Sequence, residues 1–142
     1  MKKLLNVLGV LLALAAVGFG FVSCDNDVSG VSGGRAITAF TAEQNGEAIT
    51  FKWKVRGVSD NDIRYFRIYC NGDNWEQVGY GELEKDGAWF VYSATPGQFG
   101  IETSGQYEAR SYGDSYAGGL WDATTNGYAK CTFDYTAPAS VE

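Results

Sequence analysis

Between Glu47 and Arg56 every second side chain is large and apolar, namely Ile49, Phe51, Trp53 and Val55, with Thr50, Lys52, Lys54 and Arg56 between them. A period of two over this length predicts a strand with one buried and one wetted face. Ahead of it, Asn45-Gly46 supplies a hairpin signal back to a first run, Ala36 to Ala42. Simple alternation puts Ile37, Ala39 and Thr41 of that run on one side and Thr38 and Phe40 on the other. A third strand, Ile63 to Cys70, ends at Asn71-Gly72-Asp73-Asn74, whose residues tolerate positive φ. Weaker runs cover Trp75 to Leu83, Ala88 to Ala94, Gln106 to Tyr112 and Gly127 to Tyr135. Seven short strands separated by turn signals predict an all-β chain folded as a seven-stranded antiparallel β-sandwich. No window carries an apolar stripe of period 3.6, and there is no internal repeat.

The composition narrows the chemistry. The 142 residues contain no histidine, which removes Ser/His/Asp triads, Cys/His dyads, histidine-ligated zinc and histidine general bases. The chain is therefore expected not to be an enzyme and to need no cofactor or metal. Eleven Lys and Arg against seventeen Asp and Glu give a net charge of −6. That balance argues against nucleic acid as a partner, because backbone binding needs a basic excess. Nineteen glycines, two prolines and 21 aromatic residues describe a turn-rich globular chain.

At the N-terminus, Lys2 and Lys3 precede an apolar run, Val7 to Val17, that leads to Phe21-Val22-Ser23-Cys24. This has the form of a secretion signal, and its ending resembles the lipobox of bacterial lipoproteins, although Phe21 replaces the usual leucine-like residue. The resemblance implies removal of residues 1–23 and attachment to a membrane through lipid on Cys24. A second reading, an uncleaved anchor, stays open because Leu4 to Val22 is 19 residues long. On the lipoprotein reading, residues 24–35 form a flexible Gly/Ser-containing tether and residues 36–142 a single domain. Loss of Lys2 and Lys3 leaves nine basic against seventeen acidic residues, a net charge of −8, so the domain is expected to stand off an anionic membrane surface. The expected location is the bacterial cell envelope, exported and lipid-anchored, at the outer membrane or cell surface rather than the inner membrane. Asp25 resembles an inner-membrane retention signal in some bacteria, and acidic residues there resemble a surface-export signal in others.

From about Ile37 to Tyr135 the residues resemble the fibronectin type III module, an immunoglobulin-like sandwich. Trp53 closes the alternation of the second strand where that family has a tryptophan. Tyr65-Phe66-Arg67-Ile68 reproduces its third-strand pattern of two aromatics, a basic residue and an aliphatic. Ile101 stands six positions ahead of Tyr107, the interval that precedes a tyrosine corner, in which the phenol returns to upstream backbone. Thr103 departs from the family's proline, and the segment from Ser111 to Asn126 reads as a long glycine-rich loop. Other immunoglobulin-like lineages place similar residues in the same way.

With Cys24 assigned to lipid, Cys70 and Cys131 remain, and export permits a disulfide between them. In the resembling fold the sixth strand lies between theirs. Two strand spacings of about 9.5 Å exceed the roughly 7 Å reach between bridged Cα atoms. The pair is thus either a disulfide or two core thiols. Glu82, Glu84 and Asp86 alternate, as a charged edge strand does, or as paired carboxylates of a glycosidase would. Asp60, Asp62 and Asp73 read as turn residues, with a calcium site formed by meeting loops as the alternative. Gly113, Gly118 and Gly119 read as loop glycines outside any phosphate-binding motif.

The residues of the third, sixth and seventh strands left out of the core alternation are Tyr65, Arg67 and Tyr69, then Glu108, Arg110 and Tyr112, then Tyr128, Lys130, Thr132 and Asp134. The resemblance makes these strands neighbours, which gathers tyrosines and arginines on one flat face of the kind that stacks on sugar rings or anchors a protein. Trp75, Tyr116, Leu120 and Trp121 are expected in loops rimming it. The candidate ligand-binding residues are Tyr65, Arg67, Tyr69, Arg110, Tyr112, Tyr128 and Trp121. Two functions follow: a noncatalytic envelope module that binds a glycan or protein through this face, or a structural module that packs it into a larger envelope complex.

Overall fold

The computed structural model describes residues 34–139. Cys24, the signal segment and most of the tether lie outside the described residues. Nine strands are formed: β1 (Ala36–Asn45), β2 (Ala48–Arg56), β3 (Ile63–Cys70), β4 (Asn74–Gly79), β5 (Glu84–Asp86), β6 (Trp89–Ala94), β7 (Gly105–Ser115), β8 (Gly118–Leu120) and β9 (Ala129–Tyr135). Short 3-10 turns cover Asp60–Asp62, Tyr80–Glu82 and Pro96–Phe99. Among the described residues no helix is long and apolar enough to cross a membrane. All seven expected strands are present, and β5 and β8 are additional, so the described residues form nine strands rather than seven. Both additions are three residues long, too short for alternation to announce them.

The strands form two antiparallel sheets. One has the order β1-β2-β6-β5. The other has the order β4-β3-β7, after which the long β7 pairs with β9 along Gly105–Ser111 and with β8 along Gly113–Ser115. The glycine-rich stretch after Ser111 is therefore strand first: β7 continues to Ser115, turns at Tyr116-Ala117 and returns as β8. Gly113 belongs to β7, and Gly118 and Gly119 to β8, which corrects their reading as loop glycines. At the other hairpin, Gly46 takes φ +65° in the two-residue turn joining β1 to β2, a conformation that costs glycine nothing.

The sheets pack face to face around aromatic side chains. Trp53 of β2, fully buried, lies on Phe66 of β3 with centroids 4.4 Å apart and planes 10° apart. Phe40 and Phe51 extend this stack within the first sheet, and Phe99 meets Phe51 edge-on. The inward side of β7 is small to make room, with Ala109, Ser111, Gly113 and Ser115. A Cβ on Gly113 would stand 2.8 Å from the Phe66 ring. The indole nitrogen of Trp53 donates to Ser111 Oγ at 2.9 Å, and Ser111 Oγ donates to the Arg67 carbonyl at 2.7 Å. That relay ties the two sheets together and gives the buried Trp53 indole nitrogen and Ser111 hydroxyl their partners.

Three further expectations meet the structure in the core. Tyr107, at the start of β7, donates its hydroxyl to the Thr103 carbonyl at 2.6 Å, which is the corner geometry. In β1 a bulge between Ile37 and Ala39 leaves Thr38 without a register partner and reverses the alternation. Ile37, Phe40 and Ala42 therefore enter the core, whereas simple alternation put Ile37 with Ala39 and Thr41. Cys70 and Cys131 are both thiols, so the possible disulfide is not formed. Ala109 pairs with Cys70 on one side and with Cys131 on the other, so a whole strand separates them. Burial pushes the Cys70 thiol up to about 11.

Candidate functional site

Register assembles the outer face of the second sheet. On β3, Arg67 lies between Gln77 of β4 and Tyr112 of β7. Tyr69 lies between Trp75 and Arg110, and Arg110 is opposite Lys130 of β9. Tyr112 stands where the neighbour of β7 changes, since Ser111 pairs with Ala129 of β9 and Gly113 with Leu120 of β8. The residues flanking those partners, Tyr128 and Trp121, consequently converge on it. The Trp121 ring stacks on Tyr112 at 4.9 Å and 14°, and Tyr128 meets Tyr112 and Trp121 edge-on at 5.9 and 5.8 Å. Tyr65 closes on Tyr112 at 6.5 Å, and Tyr69 on Tyr128 at 5.6 Å.

Two guanidinium groups are interleaved with these rings. Arg67 lies 4.4 Å over Trp75 and 5.8 Å from Tyr112, and its Nη2 donates to Gln77 Oε1 at 2.6 Å. Its Nε is buried with no hydrogen-bond partner. Arg110 lies 5.3 Å from Tyr69 and 5.4 Å from Tyr128, and its Nη2 donates to the Gly72 carbonyl at 3.3 Å. Each such cation–π contact is worth about 0.5–1 kcal/mol at an exposed site, so the alternation of rings and cations stiffens the face. Hydrogen bonding to Tyr69 raises the Arg67 pKa; desolvation opposes it, and the nearby phenols of Tyr112, Tyr69 and Tyr65 add to the rise. Burial raises the Tyr112 phenol, and Arg67 offsets part of that rise. At neutral pH Arg67 is therefore held charged and the Tyr112 phenol neutral.

Tyr65, Arg67, Tyr69, Arg110, Tyr112, Tyr128 and Trp121 all lie on this one face. The expected rim is different. Trp75 belongs to strand β4 and is 52% exposed, and Tyr116 occupies the tip of the β7–β8 turn beside Arg64. Leu120 is fully buried in the core and leaves the rim altogether. Sequence reading missed Gln77, which holds Arg67, and Ser111, which anchors the strand behind it. The period-two signal for Gln77 was present once Trp75 is placed on a strand. For Ser111 the alternation of Gln106 to Tyr112 gave an inward position, but nothing in the sequence pointed to its bond with Trp53.

The other candidate groups are dispersed. Glu84 and Asp86 sit exposed on edge strand β5, and Glu82 lies in the turn before it with its carboxylate directed at the Gly79 amide. Asp60 and Asp62 precede β3 whereas Asp73 follows it, so a strand of eight residues, about 26 Å long, keeps those loops from meeting. Asp60 instead pairs with Lys85 at 3.2 Å. Among the described residues no three His, Cys, Asp or Glu side chains are grouped to hold a metal ion.

No family model matches the sequence, and no curated protein matches it. Among solved structures, the fold is similar to part of the crystal structure of the Clostridium perfringens spore cortex lytic enzyme SleM, at 14% identity and a TM-score of 0.49. The match covers 70% of this chain and spans 28% of that one. This likeness assigns neither an activity nor a ligand.

Proposed function

We propose that this chain is a noncatalytic, lipid-anchored cell-envelope protein whose sandwich binds a glycan or protein partner through the aromatic and arginine face of the β4-β3-β7-β9 sheet. The observation that carries the reading is the continuity of the face. Seven rings, of Trp75, Tyr65, Tyr69, Tyr112, Trp121, Tyr128 and the outlying Tyr116, are gathered on or beside the two central strands, the first six joined by ring contacts and by two arginines that lie over Trp75, Tyr112, Tyr69 and Tyr128. Isolated surface aromatics are ordinary, but a contiguous set on one sheet is the pattern of a recognition surface.

The finer fold reading, a fibronectin type III or immunoglobulin-like module, is supported by the strand order. Counting β1, β2, β6 and β5 as A, B, E and D, and β4, β3, β7 and β9 as C′, C, F and G, gives the immunoglobulin-like layout. The Tyr107 corner adds to it. In such sandwiches the fold leaves function to the surface. Lipid anchoring rests on Phe21-Val22-Ser23-Cys24. Cys24→Ala should abolish labelling by radiolabelled palmitate, and equal labelling of the variant would end that part of the reading.

For the face, glycans and proteins of a cell envelope are presented to the full chain, and Tyr69→Ala and Arg110→Ala are compared with the parent. Binding energy concentrates in a few aromatic and arginine anchors, so each change should weaken binding by about 2 kcal/mol or more. Unchanged affinity in both variants, with binding lost on substitutions in the loop around Asp122–Asn126, would move the site off the sheet.

A further inference from the structure

The central rows of this face carry positive charge that the protein itself does not neutralise. Among the described residues the ion pairs are Arg64 with Asp114 and Lys85 with Asp60. Arg67, Arg110 and Lys130 stand in adjacent rows and, among the described residues, have no carboxylate within ion-pair distance. The contacts of the two arginines are with the Gln77 amide oxygen, the Gly72 carbonyl and the rings of Trp75, Tyr112, Tyr69 and Tyr128. The nearby acids lie outside these rows: Glu108 and Asp134 follow along β7 and β9, Asp114 is already taken by Arg64, and Asp122, which lines a pocket with Tyr128 and Lys130, accepts from the Thr124 and Thr125 amides. In a chain of net charge −6, three cations collected among aromatic rings with the acids kept outside form a local field opposite in sign to that of the whole molecule.

The rings indicate what kind of anion fits. Tyr65, Tyr69, Tyr112, Tyr128 and Trp121 meet edge to face at 77°, 74°, 63° and 72°, and Trp121 lies parallel to Tyr112 at 14°. The more open rings, Trp75 at 52% and Trp121 at 36% exposure, stand on opposite sides of the two central strands. A protein hot spot seats a protruding side chain in a pocket. A sugar ring needs only a flat aromatic face for its C–H groups and a planar donor beside it for its polar substituents. We propose that the ligand of this face is an acidic saccharide, held by stacking on Trp75 and Trp121 while Arg67, Arg110 and Lys130 take its carboxylate or sulfate groups. This rests on the sheet-face reading above and adds the charge of the ligand and its saccharide class.

The test presents the full chain with four polymers: polygalacturonate, heparin, neutral dextran and polyglutamate. Polygalacturonate or heparin should be retained, dextran and polyglutamate should not, and retention should weaken toward roughly 0.5 M salt, where screening is short-ranged. A preference between the first two tells carboxylate from sulfate. Arg110→Gln and Lys130→Gln should each weaken binding by about tenfold, the worth of one charge-assisted contact, with the unfolding midpoint unmoved. Dextran bound as well as the acidic polymers, without salt dependence but still lost in Tyr69→Ala, overturns the acidic ligand and spares the face. Polyglutamate bound equally well makes the partner an acidic protein and overturns the saccharide. Retention of none of the four also overturns it. Acidic polymer bound with full strength by Tyr69→Ala, Arg110→Gln and Lys130→Gln together overturns the face itself.

Discussion

Along β7 the side chains turned inward are Ala109, Ser111, Gly113 and Ser115, whereas those turned outward are Glu108, Arg110, Tyr112 and Asp114. On β3 the contrast is reversed in size: Phe66, Ile68 and Cys70 fill the interior, and Tyr65, Arg67 and Tyr69 cover the outside. The interior works by volume, since the small residues of β7 are the space that Trp53 and Phe66 occupy. The exterior works by charge and ring contact, with no requirement for close filling. The same two strands thus hold the fold on one side and present a surface on the other, and substitutions on the two sides should be felt in different measurements.

The largest effect belongs inside. Trp53→Ala removes the stack on Phe66 and strips Ser111 of its donor, and it should cost about 3–5 kcal/mol in denaturant unfolding. A midpoint equal to that of the parent would remove the distinction between the two faces. The next effect is one of pH. The Cys70 thiol is raised from 9.0 to about 11 by burial, so the folded state favours the protonated form. Its contribution is complete below pH 9 and is lost as the pH climbs through 11, by roughly 2–3 kcal/mol. The parent should lose that much more than Cys70→Ala between pH 8 and pH 11, and identical pH profiles would refute the assignment.

Smaller again is Gly113→Ala, whose new methyl must displace the Phe66 ring. A cost of about 1–3 kcal/mol is expected, and a neutral result would mean that the interior has slack. Smallest is Tyr69→Ala, an outward change one residue from Cys70, which should cost less than about 1 kcal/mol of stability. If it destabilises as much as Gly113→Ala, the outer ladder is part of the scaffold and the contrast is blurred.

Much of this division was legible in the chain. Strict alternation in β2 and β3 put Trp53 and Phe66 inside and Tyr65, Arg67 and Tyr69 outside, because a period of two assigns faces without further information. Strand order also made the unbonded state of Cys70 and Cys131 readable as one of two outcomes. What escaped has local causes. The bulge at Thr38 inserts one residue and inverts the parity of β1, and no residue type in Ile37-Thr38-Ala39 announces it. The β7–β8 hairpin was hidden because the interior needs glycine and serine there, residues that elsewhere mark loops. Leu120 followed from the same error, since a residue taken for loop was given a surface position. The arrangement of Tyr128 and Trp121 about Tyr112 depends on one strand exchanging partners midway, a tertiary event with no signature in either segment.

The pairing of β1 with the segment after β8 has a mechanical consequence. Ile37 donates its amide to the Trp121 carbonyl at 2.7 Å and accepts from the Ala123 amide at 2.9 Å, while Arg35 Nε donates to the Gly119 carbonyl and Arg56 Nε to that of Gly34. Tension arriving through residue 34 along the axis of β1 loads these four bonds side by side, in shear, so they resist together instead of parting one after another. The second of the two sheets is gripped at Trp121 and Gly119, within the same few residues that carry one end of the aromatic face. A pull on the N-terminus and a pull on a ligand stacked at Trp121 would thus meet across this hydrogen-bonded seam, beside the β1–β2 ladder that shares the load on the other edge of β1.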